Sequence, residues 1–252
     1  MDTLKKLFYF FNDETPYYAA SLSFFTIFSI LPLLALLIVV VSSLPVFEQH
    51  LDSMMLYIID FINPTHSTAL AKTISDFLVN IDKLGNIGIF YLFFVFTMFF
   101  KDYEYIINKI YGTPSRAVYK LFFMYLGFLI LIPILFFVFI LISTFTDFSF
   151  SLKLFTFLFI WILFTILFIL SANTRVSFKA SMSASFITLI VLSITKSLFG
   201  YYVITNTTYT TIYGSFSVAL FFFLWIYVSW NIYLYGTKLC VIINKDNLKD
   251  ND

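Results

Sequence analysis

Long apolar runs without a charged residue alternate along this chain with short segments that collect the Asp, Glu, Lys and Arg residues. A helix that crosses the hydrocarbon core of a bilayer needs about 20 residues at a rise of 1.5 Å each. Six such runs predict an all-α fold, a polytopic membrane helix bundle with six transmembrane helices in a single membrane domain, 1–252. We expect the spans near 19–44, 84–100, 121–145, 154–172, 180–203 and 215–237.

The segment 46–83, between the first two predicted spans, has apolar residues at helical spacing on both sides of a break at Asn63-Pro64. This pattern predicts an outer amphipathic segment of two helices. Either these helices pack on the outer ends of the spans or lie in the membrane interface, or they form a lid over an outward-facing cavity. The apolar positions are Phe47, Leu51, Met54, Met55, Ile58, Ile59 and Ile62 in the first helix and Ala71, Ile74, Phe77, Leu78 and Ile81 in the second.

Basic residues are distributed unequally between the two sides of the predicted bundle. With the N-terminus inside, eleven of the fifteen Lys and Arg residues fall in cytoplasmic segments. Because short basic loops stay in the cytoplasm, this asymmetry predicts that both termini are cytoplasmic, and an even number of spans agrees with it. The basic residues left on the outer side are Lys72, Lys83, Lys153 and Lys196.

The composition favours a membrane protein and argues against several other classes. Hydrophobic residues make up 61% of the chain and charged residues 12%, against about 25% charged residues in soluble domains. A formal net charge of +1 provides no basic surplus for binding nucleic acid. Cys240 is the only cysteine, and His50 and His66 stand apart from other ligand residues, so we expect no internal disulfide, metal or cofactor.

Sequence patterns typical of catalysis are weak, so we predict no catalytic residues. Gly214-Ser215 lacks the second glycine of a nucleophile elbow. Asp102 and Glu104 form a close acidic pair in the predicted loop after the second span. We interpret this pair as part of a solvated, charged interface rather than as a metal-dependent nuclease site.

Polar side chains within the predicted spans are the candidates for a substrate path. A Lys near the centre of a span costs about 2.5–3.5 kcal/mol, so Lys196 is the main candidate for a path-lining residue, and Asn231 is the second. The alternative for Lys196 is that its ammonium group reaches the outer interface by snorkelling. Hydrogen bonds between helices explain Asn231 more simply.

Small residues and prolines predict how the helices pack. Ala180, Ser181, Ala184 and Ser185 form two pairs at four-residue spacing, which allow close approach of helix backbones and place the fifth span at the centre of the bundle. Pro133 in the third span removes a backbone hydrogen bond and predicts a bend, as does the proline of the first span.

Several short motifs occur in a fixed order along the chain. An Asp precedes a Ser-rich apolar helix that runs to a proline, an Asn follows the second span, an Arg lies in a short turn, and Tyr-Gly-Ser opens the last span. Together they resemble the YihY / virulence factor BrkB family, long mislabelled ribonuclease BN, over nearly the whole chain. Ala172 departs from the family's usual Pro, and Lys238 from a frequent acidic residue. The motif positions are Asp13, Ser21, Pro32, Asn108, Arg175, Tyr213, Gly214, Ser215, Trp225 and Gly236.

The resemblance implies a bacterial inner-membrane protein with six spans, associated with envelope integrity, serum resistance and transport of lipid-like or other substrates. Our leading hypothesis is envelope biogenesis or transport of an amphiphilic substrate, with membrane lipids as partners and without enzymatic activity. One alternative is a non-transporting scaffold that binds envelope partners through the segment 46–83. The least favoured alternative is an RNA-processing enzyme.

Overall fold

All regular secondary structure in the described part of the chain is helical, as the sequence predicts. The structure, a computed structural model, describes residues 13–42, 68–80, 85–144, 149–205 and 216–249, together with Leu56, Lys83 and Gly214. Seven helices lie in these ranges: α1 Thr15–Ser42, α2 Thr68–Val79, α3 Gly85–Tyr111, α4 Val118–Thr144, α5 Ser149–Ser171, α6 Phe178–Thr205 and α7 Phe216–Lys249.

Four of the described helices contain a stretch that is long and apolar enough to cross a membrane, namely Thr15–Val39, Val118–Leu135, Phe178–Val203 and Phe216–Lys245. In α5 the apolar stretch Thr156–Ser171 is shorter. These stretches support four of the predicted spans, and the total of six stays a prediction.

Two helices extend further than their apolar runs predict. Helix α3 continues past Lys101 to Tyr111 and ends at Gly112, whose φ of 70° suits a glycine. Helix α7 has 34 residues and is therefore about 51 Å long, more than the hydrocarbon core of a bilayer. The prediction that residues just after 100 form a loop is wrong, because loss of hydropathy ends a span without ending a helix.

The six long helices pack in chain order into a closed ring. Each contacts the next, and α7 returns to α1 and also contacts α3 across the ring. The prediction that α6 is central is wrong: 28% of its apolar stretch is buried, against 50% in α1. Helix α6 packs mainly on its neighbours α5 and α7, and it exposes its remaining face.

Close approach of α6 to α7 is confirmed. Ala180, Ser181, Ala184 and Ser185 are all fully buried on α6. On α7, a Cβ atom added at Gly236 would overlap Oγ1 of α6 Thr188. Only a glycine therefore fits at this crossing of the two helices.

Helix α2 confirms the second of the two predicted amphipathic helices. Its residue Ile74 is buried, Lys72 and Asp76 are exposed, and the helix packs on α1. The first predicted amphipathic helix, 47–62, lies outside the described residues except for Leu56. The lid interpretation stays a prediction.

Contacts between helix ends define one pole of the bundle, which we call the charged end. Lys238 of α7 contacts Asp13 before α1, and Asn108 of α3 contacts Ser171 at the end of α5. At this pole α1, α4 and α6 begin, and α3, α5 and α7 end. The helices thus alternate in direction, as consecutive membrane spans do, and the sequence predicts that the charged end faces the cytoplasm.

Candidate functional site

A buried ion pair lies at the charged end, between the end of α3 and the loop that follows it. Glu104 is fully buried. Its Oε1 accepts a hydrogen bond from the backbone N–H of Arg116 at 2.8 Å, and its Oε2 lies 3.3 Å from the Arg116 guanidinium. The same guanidinium donates to the backbone carbonyls of Ser171 and Ala172 at the end of α5. Arg116 thus neutralises a buried carboxylate and caps a neighbouring helix.

Asn108, one turn after Glu104 on α3, is also fully buried. Its Nδ2 donates to the carbonyls of Glu104 at 3.0 Å and Ser171 at 3.2 Å. Its Oδ1 accepts from Thr113 Oγ1 at 2.8 Å and from the backbone N–H of Asn173 at 2.7 Å. An amide side chain has two donors and two acceptor sites, so Asn108 is fully satisfied. It ties α3 and its following loop to the α5–α6 loop.

The α5–α6 loop is attached to α7 as well. Asn244 accepts a hydrogen bond from the backbone N–H of Ser177 at 2.8 Å and donates to the Arg175 carbonyl at 3.1 Å. The Arg175 side chain itself is exposed. This network joins three helix ends and the two loops between them, which indicates a structural clamp.

The expectation of a solvated acidic pair is wrong for Glu104. Asp102 is partly exposed, whereas Glu104 is buried and bound to Arg116. Residues two apart on a helix do not face each other, so these carboxylates do not form one site. The sequence holds a signal for the clamp, since Glu104 and Asn108 share one helix face at four-residue spacing.

A cavity of about 370 Å³ opens beside this clamp, between the start of α1 and the ends of α3 and α7. We call it the charged-end cavity. Lys238 Nζ lies 2.7 Å from Asp13 Oδ2, and Thr15 donates to the same carboxylate from its backbone N–H and its hydroxyl. The charged-end cavity is lined by Asp13, Glu14, Tyr18, Lys109, Ile110 and Lys238.

A second, looser ion pair lines the same cavity. Lys109 Nζ lies 3.5 Å from Glu14 Oε2 and 5.0 Å from the centroid of the Tyr18 ring. The Tyr18 hydroxyl donates to Glu14. Because the Lys109 and Glu14 side chains are 48% and 67% exposed, this pair adds little to stability.

These contacts keep Asp13, Glu14 and Lys109 ionised at neutral pH. Burial acts to raise the pKa of Asp13, but hydrogen bonds from Lys238 and Thr15 outweigh it and leave the pKa below its ordinary value. The hydrogen bond from Tyr18 and the charge of Lys109 lower the pKa of Glu14. The Tyr18 hydroxyl and the Glu14 carboxylate raise the pKa of Lys109.

A second cavity of about 260 Å³ lies within the bundle, between α1, α5, α6 and α7. We call it the intramembrane cleft. Its wall is mostly apolar and aromatic, with a few polar groups. Trp230 Nε1 donates to Thr26 Oγ1 at 2.8 Å, and the Tyr233 hydroxyl bonds that of Tyr103 on α3. The lining residues are Thr26, Ile30, Phe164, Leu167, Leu192, Trp225, Ile226, Ser229, Trp230 and Tyr233.

One polar group of the cleft wall has no partner among the described residues. The Ser229 hydroxyl oxygen is buried without a hydrogen bond. An unsatisfied buried hydroxyl costs about 1–3 kcal/mol, so such groups are rare in proteins. Ser229 is therefore the group in the cleft that is best placed to bond a polar atom of a ligand.

The predicted site residues separate into different regions. Asp13 lines the charged-end cavity, Asn108 is the centre of the clamp, and Trp225 lines the cleft. Gly236 serves helix packing, and Arg175 contributes its carbonyl. Of the others, Ser21 is exposed, Pro32 is buried in α1, Gly214 has a φ of 54°, and Tyr213 and Ser215 lie outside the described residues.

Neither candidate path residue is among those that line the two cavities. Lys196 is partly buried on α6, four residues after Leu192, which does line the cleft. Asn231 donates to the carbonyl of Tyr227 at 2.9 Å within its own helix. A path-lining role for either residue stays a prediction. The role of Glu104 was not predicted, although its four-residue spacing to Asn108 is a signal for it. Arg116 and the Ser229 hydroxyl belong to no local motif and were not predicted either.

Comparison with known proteins settles the family. The sequence profile described as "Virulence factor BrkB" matches residues 9–252. This chain belongs to the virulence factor BrkB family. The resemblance inferred from the short motifs is thus confirmed, and the protein is a membrane protein of this bacterial family.

Several curated proteins resemble this BrkB family member, and each is named a UPF0761 membrane protein. The relative from Teredinibacter turnerae is 28% identical over 92% of this chain and 58% of its own length. The relative from Legionella pneumophila strain Philadelphia 1 is 26% identical over 92% of this chain and 59% of its own length. The relative from Aggregatibacter aphrophilus is 28% identical over 89% of this chain and 85% of its own length.

The chain therefore spans about three-fifths of the length of the first two of these BrkB relatives. Their names carry no enzymatic activity. No solved structure matches the chain. Within the described ranges, no three His, Cys, Asp or Glu side chains come together as a metal site would require.

Proposed function

We propose that the protein binds and moves an amphiphilic, lipid-like molecule across or within the bacterial cytoplasmic membrane, in envelope biogenesis or transport and without an enzymatic step. The intramembrane cleft is the observation that carries this proposal. It combines an apolar aromatic wall with a small number of polar groups, which is the usual chemistry of a ligand pocket.

The size of the cleft suits part of a lipid. Its volume of about 260 Å³ is close to the roughly 300 Å³ at which small-molecule pockets begin. Phe164, Leu167 and Leu192 provide apolar contacts for an acyl chain, and the free Ser229 hydroxyl provides a donor for an ester or hydroxyl oxygen. In this proposal both termini face the cytoplasm, in agreement with the basic charged end.

Lipid retention tests the proposal. The protein is purified in nanodiscs formed from native membrane, and the lipids held by the protein are identified by native mass spectrometry. Ser229→Phe places a ring in the cleft, whereas Ser193→Phe makes the same substitution at an exposed position on α6. We expect Ser229→Phe to lose the retained lipid and Ser193→Phe to keep it. Equal retention in both variants would contradict binding in the cleft.

A second measurement separates transport from binding. The protein is reconstituted into vesicles that contain a fluorescent phospholipid, and movement of the lipid between leaflets is followed by chemical quenching of the outer leaflet. We expect wild type to accelerate movement and Ser229→Phe to lose the acceleration. Binding without movement would instead favour a non-transporting scaffold.

The ribonuclease hypothesis has the least support. Arg116 binds both oxygens of the Glu104 carboxylate. Of the acidic pair Asp102 and Glu104, Asp102 alone is therefore left to bind a catalytic metal ion. If RNA cleavage by purified protein survives an Asp102→Ala, Glu104→Ala double variant, it arises from contamination.

A further inference from the structure

We propose that the charged-end cavity binds the headgroup of a phospholipid that carries a primary amine, a phosphoethanolamine group, while an acyl chain of the same lipid occupies the intramembrane cleft. The placement of the acyl chain rests on the function proposed above. The assignment of the headgroup rests on separate observations at the charged end.

The charges that line the cavity favour a zwitterion. Two carboxylates, Asp13 and Glu14, and two ammonium groups, Lys109 and Lys238, sum to zero. The lysines suit a phosphate, and the carboxylates suit a protonated primary amine, through charge-assisted hydrogen bonds. An anionic headgroup would leave one negative charge unbalanced. A quaternary amine has no hydrogen to donate to the carboxylates.

Exposure makes the looser pair available to a ligand. The Lys109 and Glu14 side chains are about half and two-thirds exposed, and their atoms are 3.5 Å apart. Such a surface pair is weak, so exchanging it for two bonds to a zwitterionic headgroup costs little. The contacts described above also keep both carboxylates and Lys109 ionised near neutral pH.

The two cavities lie along the same pair of helices. On α1, Tyr18 lines the charged-end cavity and Thr26 lines the cleft, eight residues or about 12 Å further along the axis. On α7, Lys238 and Tyr233 are five residues or about 8 Å apart. Each headgroup layer of a bilayer is about 5–8 Å thick. Measured along the helix axes, the two cavities therefore lie within one lipid's length of each other.

The test uses nanodiscs that contain equal parts of phosphatidylethanolamine, phosphatidylglycerol and phosphatidylcholine, with lipids retained by the full chain read by native mass spectrometry. We expect wild type to retain phosphatidylethanolamine in excess of its share. The carboxylates contact the amine, which is the group that distinguishes this lipid from the other two. Since one charge-assisted hydrogen bond corresponds to about a tenfold change in affinity, Glu14→Gln and Asp13→Asn each lose roughly tenfold of this enrichment. Asp102→Asn, on a partly exposed residue of α3 outside the cavity, keeps it.

The Glu14 variant keeps the test decisive if Asp13→Asn fails to fold, because the Glu14–Lys109 pair is weak and exposed. Preference for phosphatidylglycerol, or enrichment that survives Glu14→Gln, overturns the headgroup assignment. Retention of lipid without headgroup preference overturns it too, but leaves the proposed function standing. If wild type retains no lipid at all, both the headgroup assignment and the proposed function are overturned.

A competition experiment identifies the source of the headgroup. Soluble phosphoethanolamine is added in excess to protein that holds phosphatidylethanolamine in a nanodisc. We expect the lipid to stay bound, because the acyl chain adds apolar contacts in the cleft. Full displacement by the soluble compound would show that the cavity serves a water-soluble ligand and would overturn the lipid assignment.

Discussion

Removal of the Glu104 carboxylate is predicted to be among the most destabilising single changes at the charged end. In Glu104→Ala the backbone N–H of Arg116 loses its acceptor at 2.8 Å, and the guanidinium loses its counter-ion at 3.3 Å. Breaking one side of a buried ion pair costs about 3–5 kcal/mol. The Arg116 side chain is 18% exposed and keeps two backbone carbonyls as acceptors. We therefore expect Glu104→Ala to cost about 3 kcal/mol, at the lower end of this range.

The reverse change is predicted to cost more. Arg116→Ala leaves a carboxylate with no exposed side-chain surface, so we expect a loss of about 5 kcal/mol. The Glu104→Ala, Arg116→Ala double variant costs less than the sum of the two single variants, because each single variant leaves an uncompensated group that the double variant lacks.

The assay is reversible unfolding of the purified protein in detergent, followed by loss of helical circular dichroism as the fraction of denaturing detergent rises. Asp102→Ala is the matched control, since it removes a carboxylate two residues before Glu104. The Asp102 carboxylate is partly exposed and has no salt bridge among the described residues. We expect this control to stay within about 0.5 kcal/mol of wild type. Equal midpoints for Glu104→Ala and Asp102→Ala would refute the clamp.

Three further predictions concern other regions. Gly236→Ala is expected to lower the free energy of unfolding by about 1–3 kcal/mol, because the added Cβ overlaps Thr188. In a thermal unfolding scan, adding Thr188→Ala should restore part of this stability. An unaltered unfolding midpoint in Gly236→Ala would show that α6 and α7 are not in close contact. In the folded protein the pKa values of Asp13 and Glu14 lie below their ordinary values of 3.8 and 4.5. The ion pairs of these two residues therefore stabilise the fold fully at pH above the ordinary pKa values, and this stability is lost as the pH falls through the lowered folded-state pKa values. A pH series of unfolding temperatures should therefore stay level from neutral pH to about pH 5 and then fall, with a smaller fall in Asp13→Asn. Lys196→Ala is expected to reduce lipid retention in a folded protein, since it lies one turn beyond the cleft residue of α6, and unchanged retention would remove it from the path.

The sequence predicted the helical fold well, because hydropathy and helical spacing are local properties. The apolar runs located all six long helices, and the periodic pattern around Ile74 located α2. It predicted helix ends less well. Helix α3 continues through charged residues to Gly112, since a change from apolar to polar side chains leaves the backbone hydrogen bonds intact.

The site was predicted in part. The motif residues Asp13, Asn108 and Trp225 lie in the charged-end cavity, the clamp and the intramembrane cleft, respectively. Their partners were not predicted, and Lys196, chosen for the cost of a charge in the membrane, does not line either cavity. The energetic cost of a charge in the membrane marks a residue as unusual, but it does not show which side chains surround that residue.

Hydropathy and residue spacing were enough to establish a helical membrane protein and its family resemblance, because both are read from residues close together in the chain. The tertiary structure alone decided which polar groups are paired and which side chains surround a cavity. Asn108 meets a carbonyl 63 residues away, and Asp13 meets an ammonium group 225 residues away. Such contacts depend on how whole helices pack, so no local pattern in the sequence contains them.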